Sequence, residues 1–196
     1  MVSVILSGAM RISGGIARGV PLVVPKGDAV RPATDGLRQA VFSSLAACVP
    51  GARFADLFAG SGAYGLEALS RGATAGEWVE HSAKAAVCLR QNLAAVCKSL
   101  GRDEAGLALH NMDALIWRPA VGAEPDLVFI DPPYEIVADI APKLFARLTD
   151  VLAPKPDALV VFEMPGEITL EPPGWTCVKR LGKGTRSPTA AIFRRG

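Results

Sequence analysis

The chain has 196 residues, half of them hydrophobic and a fifth charged, with a net charge of +2. That is the size of one good-sized domain with a substantial core, and its composition excludes a disordered chain; no apolar run approaches the roughly 18 residues of a membrane span. Charge is spread unevenly, +3 over residues 1–45, −7 over 46–174 and +6 over 175–196, so basic ends flank an acidic centre. That pattern suits either a polyanion held at the edges of a site or two solvated faces.

The opening MVSVILSGA has a short apolar patch and no basic start. No signal peptide is expected, so the chain reads as cytoplasmic, with Met10 an alternative natural start. Cys48, Cys88, Cys97 and Cys177 are scattered without zinc-site spacing, and His81 and His110 stand apart. Free thiols and no metal centre are expected.

In chain order, residues 11–24 (RISGGIARGVPLVV) predict two short strands around a Gly-rich turn, followed by a loop over 25–33. Thr34 is the expected N-cap of an amphipathic helix, DGLRQAVFSSLAACV, ending at Pro50. Residues 1–50 are expected to form a hairpin-and-helix appendage to a main domain of residues 51–196.

Beyond Gly51, strands and helices alternate. ARFADLFA reads as a strand, GLEALSRG as a helix stopped by Gly72, and AGEWVE as a second strand. A long helix follows, capped by Ser82 and stopped by Gly101. LALHNMD and DLVFID are the third and fourth strands. Ile140, Leu144, Leu148 and Val151 give helical spacing after Asp139, with Pro142 in the first turn. ALVVFEM is a fifth strand, and the tail reads as a closing hairpin. The expected class is α/β, a mostly parallel Rossmann-like sheet with helices on both faces. Its ligands sit at the carboxyl ends of the strands, where strand order reverses.

The first strand runs into DLFAGSGAYGLE. Gly60, Gly62 and Gly65 match a nucleotide-loop fingerprint, and Glu80 follows about 20 residues after the first glycine, at the tip of the second strand. Phe58, Gly60, Ser61 and Gly62 are the expected loop contacts, with Glu80 accepting from ribose hydroxyls. NAD and S-adenosylmethionine proteins share this arrangement. Two features favour S-adenosylmethionine. Asp56, inside the first strand, is placed to hold an ammonium group or to orient the loop, and an unpartnered buried carboxylate would be costly. Asp113, with Ala114 beside it in NMDAL, is placed to meet an adenine amino group or simply to cap a helix.

The fourth strand ends in Asp131, Pro132, Pro133 and Tyr134. An exocyclic amino group is a poor nucleophile because its lone pair is delocalised into the base. The Asp131 carboxylate and a backbone carbonyl such as that of Pro132 can hold its two hydrogens and aim the nitrogen at a methyl donor. Prolines stiffen the turn and add no N–H, and Tyr134 offers a face for the base.

With these motifs, the sequence resembles the bacterial 16S ribosomal RNA guanine-N(2) methyltransferases of the small, single-domain type. RISGGIARGVPLVVP resembles their opening hairpin, RPATDGLRQAVFSSL their arginine-proline-threonine helix, DLFAGSGAYGLEALSRGA their cofactor loop and FIDPPYE their catalytic motif. Gly36 and Gln39 depart from the family's usual arginine and glutamate, and the final hairpin matches only loosely. The resemblance implies a class I, seven-stranded S-adenosylmethionine-dependent methyltransferase fold. It implies S-adenosylmethionine as donor and a guanine amino group as acceptor, in 16S ribosomal RNA within a partly assembled small subunit. A monomer without metal or membrane association is expected. Arg11, Arg18, Arg31, Thr34 and Arg38, with Lys183 and Arg186, are the expected RNA contacts.

Three alternatives stand beside this reading. A DNA adenine-amino methyltransferase would use the same acceptor geometry but lacks a separate recognition domain here. An NAD-dependent oxidoreductase explains the glycines but not Asp131 to Tyr134. A non-catalytic RNA-binding module leaves the cofactor loop without a purpose.

Overall fold

The computed structural model describes residues 10–25, 32–182 and 187–196. Seven strands form one sheet: β1 (Arg53–Leu57), β2 (Ala75–Val79), β3 (Leu107–His110), β4 (Leu127–Ile130), β5 (Leu159–Pro165), β6 (Trp175–Leu181) and β7 (Pro188–Arg195). Four helices accompany them: α1 (Pro32–Ser44), α2 (Ala63–Ser70), α3 (Ala83–Leu100) and α4 (Val137–Val151). The strand order is β3-β2-β1-β4-β5-β7-β6. Pairings from β3 through β5 are parallel, and β7 runs antiparallel to both β5 and β6. Chain order reverses between β1 and β4, which opens a crevice above their carboxyl ends.

Local sequence explains most of these elements. β4 is buried along its whole length, as a central parallel strand requires, and reads as an uninterrupted LVFI. α3 begins where the Ser82 side chain accepts from the Ala85 N–H. It ends where Gly101 turns left-handed (φ 64°) and the Arg102 N–H reaches back to the Cys97 carbonyl. The third fingerprint glycine, Gly65, serves packing: a Cβ there would stand 2.3 Å from the Trp78 ring nitrogen and 2.5 Å from Phe54.

Hydrophobic clusters cover both sheet faces. One gathers α2, α3, residues 12–22 and residues 37–49; the other is built on α4, whose Ile140, Leu144, Leu148 and Val151 all point inward as their spacing predicts. The residues before β1 enter the first cluster through Ile12, Leu22, Val41 and Phe42.

Several boundaries differ from the sequence reading. The opening hairpin contributes one isolated bridge, Arg11↔Pro21, rather than two strands: its arms share the Ile12–Val20, Leu22–Met10 and Gly19–Ile12 backbone bonds, and the polar groups around its turn bond α2 instead of extending the ladder. The buried Glu67 carboxylate on α2 accepts from the Ser13 N–H (2.8 Å) and Ser13 hydroxyl (2.7 Å), and from Arg71 Nε (2.8 Å). The Ser70 hydroxyl donates to the Gly14 carbonyl and accepts from the Ala17 N–H. α1 starts two residues before Thr34, so Thr34 is a helical residue and not the cap. A 3-10 turn over Tyr134–Ile136 leads directly into α4 at Val137, which places Pro142 in the second turn.

Candidate active site

The crevice above β1 and β4 is a cavity of about 830 Å3. On its β1 and β2 side lie Asp56, Phe58, Gly60, Ser61 and Glu80, with Asp113 beyond the tip of β3. Glu80 spans the base of the loop: one oxygen accepts from the Gly60 N–H at 2.7 Å, the other from the Ser82 N–H at 2.6 Å. It thereby couples the glycine turn to the start of α3. At Gly60 (φ 53°) nothing lies within 4 Å of where a Cβ would stand, so a ligand can approach the backbone there. Phe58 lines the same space with φ 61°, the one non-glycine residue in the left-handed region among those described. Such strain costs about 1–3 kcal/mol and concentrates at ligand sites.

Asp56 is 1% exposed and accepts from the Gly65 N–H at 2.8 Å, so its carboxylate holds the first turn of α2. Burial above all, countered by that hydrogen bond and reinforced by the charge of Glu80, raises its pKa to about 8. A cationic group in the cavity would offset that desolvation.

At the tip of β4, Asp131, Pro132, Pro133 and Tyr134 line the opposite wall. Tyr134 donates to Glu163 Oε1 at 3.3 Å, and Tyr64 donates to Glu163 Oε2 at 2.7 Å. The Tyr64 ring is itself stacked on Phe129 of β4 (5.3 Å, 21°). Residues from β4, β5 and α2 therefore brace one another at this wall of the cavity.

A third wall comes from the N-terminal segment, where Met10, Val24 and Pro25 line the cavity. Asn92, buried on α3, holds that segment. Its Oδ1 accepts from the Val23 N–H (2.7 Å), and its Nδ2 donates to the carbonyls of Val23 and Ser61 (both 2.9 Å). One side chain thus joins the N-terminal segment to the glycine loop.

Most residues anticipated from sequence come together here, with exceptions. Gly62 and Ala114 are not on the cavity wall. The left-handed Gly62 (φ 84°) faces Leu89, which a Cβ would meet at 2.9 Å, and Ala114 is buried in the α4-side cluster. Arg38 is a correction among the RNA contacts. It is 2% exposed and donates to the Arg11 carbonyl and the Asp35 carboxylate, 3.5 Å from Glu67, so it is not presented to solvent phosphate. Arg11 and Arg18 are exposed. Arg31, Lys183 and Arg186, and the Thr34 side chain, lie outside the described residues.

Sequence reasoning missed Tyr64, Glu163, Asn92 and Glu67. The available signal was polarity out of place: an acid inside the apolar run VVFEM, and Asn92 and Glu67 on otherwise buried helix faces.

The strand order, the antiparallel β7 and the cavity at the β1/β4 reversal define the class I methyltransferase fold. The solved structure of yhhF from Escherichia coli superposes with a TM-score of 0.77 at 28% identity, covering 96% of this chain and 98% of that one. The family described as Conserved hypothetical protein 95 matches residues 10–190, and the chain belongs to it. A relative of Haemophilus influenzae, Ribosomal RNA small subunit methyltransferase D, is 30% identical over 179 residues, 90% of each chain. The protein of the same name from Escherichia coli K12 is 40% identical over 128 residues, 65% of this chain. That match spans 62% of the Escherichia coli relative's length.

Proposed function

We propose that this protein transfers a methyl group from S-adenosylmethionine to the exocyclic amino group of a guanine in 16S ribosomal RNA. The observation that carries the reading is one cavity lined both by the Gly60 loop with Glu80 and Asp113, and by Asp131 to Tyr134. The names of the small-subunit methyltransferase D relatives support the RNA substrate.

The donor set fits S-adenosylmethionine: carboxylates at Glu80 for ribose hydroxyls, at Asp113 for an adenine amino group and at Asp56 for an ammonium group. When bound, it supplies an electrophilic methyl group. The chain's own contribution is positioning. Asp131 and the Pro132 carbonyl accept the two amino hydrogens of the base, which turns its nitrogen lone pair toward the donor side. Tyr134 stacks on the base, a contact worth roughly 1–3 kcal/mol. A guanine within structured RNA is flipped outward to reach this depth.

Residues 1–50 form the RNA-contacting appendage to the catalytic domain of residues 51–196, with Arg11 and Arg18 on phosphates and Arg31, Lys183 and Arg186 assigned the same role from sequence. The substrate is RNA within a partly assembled small subunit, met in the cytoplasm by a monomer without metal.

The test supplies labelled methyl donor with deproteinised 16S RNA, partly assembled small subunits or DNA, and maps the product. Label at a guanine amino group of the RNA is expected. Label confined to DNA adenine would overturn the substrate assignment, and calorimetric binding of NADH without S-adenosylhomocysteine would overturn the methyl-transfer reading itself.

A further inference from the structure

The methyl-transfer reading names guanine without naming the residue that selects it, and the end of the sheet bears on that choice. β4 and β5 run parallel, with Ile130 opposite Phe162. Continued one residue past the end of β4, that register sets Asp131 opposite Glu163, at roughly the 4.8 Å separation of neighbouring strands. Side-chain alternation turns both away from the α4-side cluster that holds Ile130 and Phe162. Both line the cavity, so its acceptor end carries two carboxylates side by side.

Glu163 is 1% exposed in a strand whose neighbours are apolar, and it is held by the hydroxyls of Tyr64 and Tyr134. Burial first, and then the charges of Glu163 and of Asp131, raise the Tyr64 hydroxyl well above its ordinary value of 10. Tyr64 therefore remains a donor to Glu163.

Three bases carry an exocyclic amino group, and they differ in the ring atom beside it. Adenine and cytosine place a bare nitrogen there, an acceptor whose lone pair would face a carboxylate. Guanine alone places a donor, N1–H, on one side of its amino group, with bare N3 on the other. Two adjacent acceptors match a donor–donor edge and reject a donor–acceptor one, and an unmatched buried polar group is a strong basis for discrimination.

We infer that Glu163 is a specificity-determining residue, accepting the guanine N1–H while Asp131 accepts from the amino group. This rests on the methyl-transfer reading above and extends it to the choice of base. Tyr64 is a positioning residue that acts through Glu163.

The experiment measures kcat/KM for the wild type and for Glu163→Gln on two versions of the same RNA. One carries guanine at the methylated position; the other carries 2-aminopurine, which keeps the amino group and lacks the N1 hydrogen and O6, so that the O6 loss is common to both enzymes and cancels in their comparison. The wild type is expected to lose roughly tenfold to a hundredfold on 2-aminopurine, the range for losing one good base contact. Glu163→Gln is expected to lose on guanine and to treat the two RNAs alike, within about threefold, while binding S-adenosylhomocysteine like the wild type. A merely structural role for Glu163 predicts equal 2-aminopurine losses in both enzymes, and that result overturns the inference. Should the variant fail to fold, equal rates of the wild type on the two RNAs overturn it as well. Absence of label in the guanine RNA with the wild type would instead sink the underlying transfer reading.

Discussion

The two ends of the cavity use carboxylates in opposite ways. At the donor end, Glu80 and Asp56 accept from backbone N–H groups of Gly60, Ser82 and Gly65, so their first task is to set the course of the chain. At the acceptor end, Glu163 accepts from two tyrosine hydroxyls, and its neighbour Asp131 extends the same wall. A backbone-anchored carboxylate makes a fixed cradle for an unvarying ligand. A carboxylate anchored by side chains can be retuned for another base by changing one or two residues without moving the sheet. On the proposed reading, donor recognition is built into the fold and acceptor choice is laid over it.

Separate losses at the two ends test that division. The largest expected effect is Asp131→Ala, which should lower turnover by at least about a hundredfold through misplacement of the amino group, with S-adenosylhomocysteine affinity by calorimetry unchanged. Near-normal turnover would remove Asp131 from the mechanism. Glu80→Ala should do the reverse. Losing the acceptor for the Gly60 and Ser82 N–H groups weakens S-adenosylhomocysteine binding by roughly tenfold to a hundredfold, from about 1.5–3 kcal/mol for a charged hydrogen bond. Unchanged affinity would end the contrast between the two walls.

Tyr134→Phe keeps the ring and deletes only the hydroxyl bonded to Glu163, so a fall of roughly twofold to tenfold in kcat/KM is expected, at unchanged cofactor affinity. A loss as large as that of Asp131→Ala would mean that the hydroxyl itself contacts the reacting base.

A different readout, stability, tests the donor wall on its own. Burial raises Asp56 from 3.8 to about 8, so over that range the native state keeps a proton that the unfolded chain has released. Its contribution to stability therefore falls as pH rises from about 4 to 8. Asp56→Asn should flatten that part of the melting-temperature profile; an unaltered slope would show that Asp56 does not titrate there. An ammonium contact at Asp56 would require its ionisation, so S-adenosylhomocysteine binding near pH 7 should release a proton, measurable by calorimetry in buffers of different ionisation enthalpy.

Much of this was legible in the sequence because it is local. The alternation of strands and helices, the caps at Ser82 and Gly101, the inward stripe of α4 and the Asp131–Tyr134 tip each depend on neighbours along the chain. What escaped depends on distance. Arg38 looked like a surface cation on a basic helix, yet it is buried beside Glu67, 29 positions away in sequence. The opening hairpin looked like two strands, yet the polar groups around its turn are satisfied by Glu67 and Ser70 on α2, which leaves a single bridge between its arms.

By itself, the sequence determined the order of elements, the glycine loop and the aspartate-proline-proline-tyrosine tip, since turn chemistry and hydrophobic periodicity operate within a few residues. Only the tertiary structure decided that Glu163 and Asp131 line one cavity, that Tyr64 orients Glu163, and that Asn92 fastens the N-terminal segment to the glycine loop. These meetings follow from strand register and from the need of each buried polar group to find a partner, and neither is written in any short stretch of the chain.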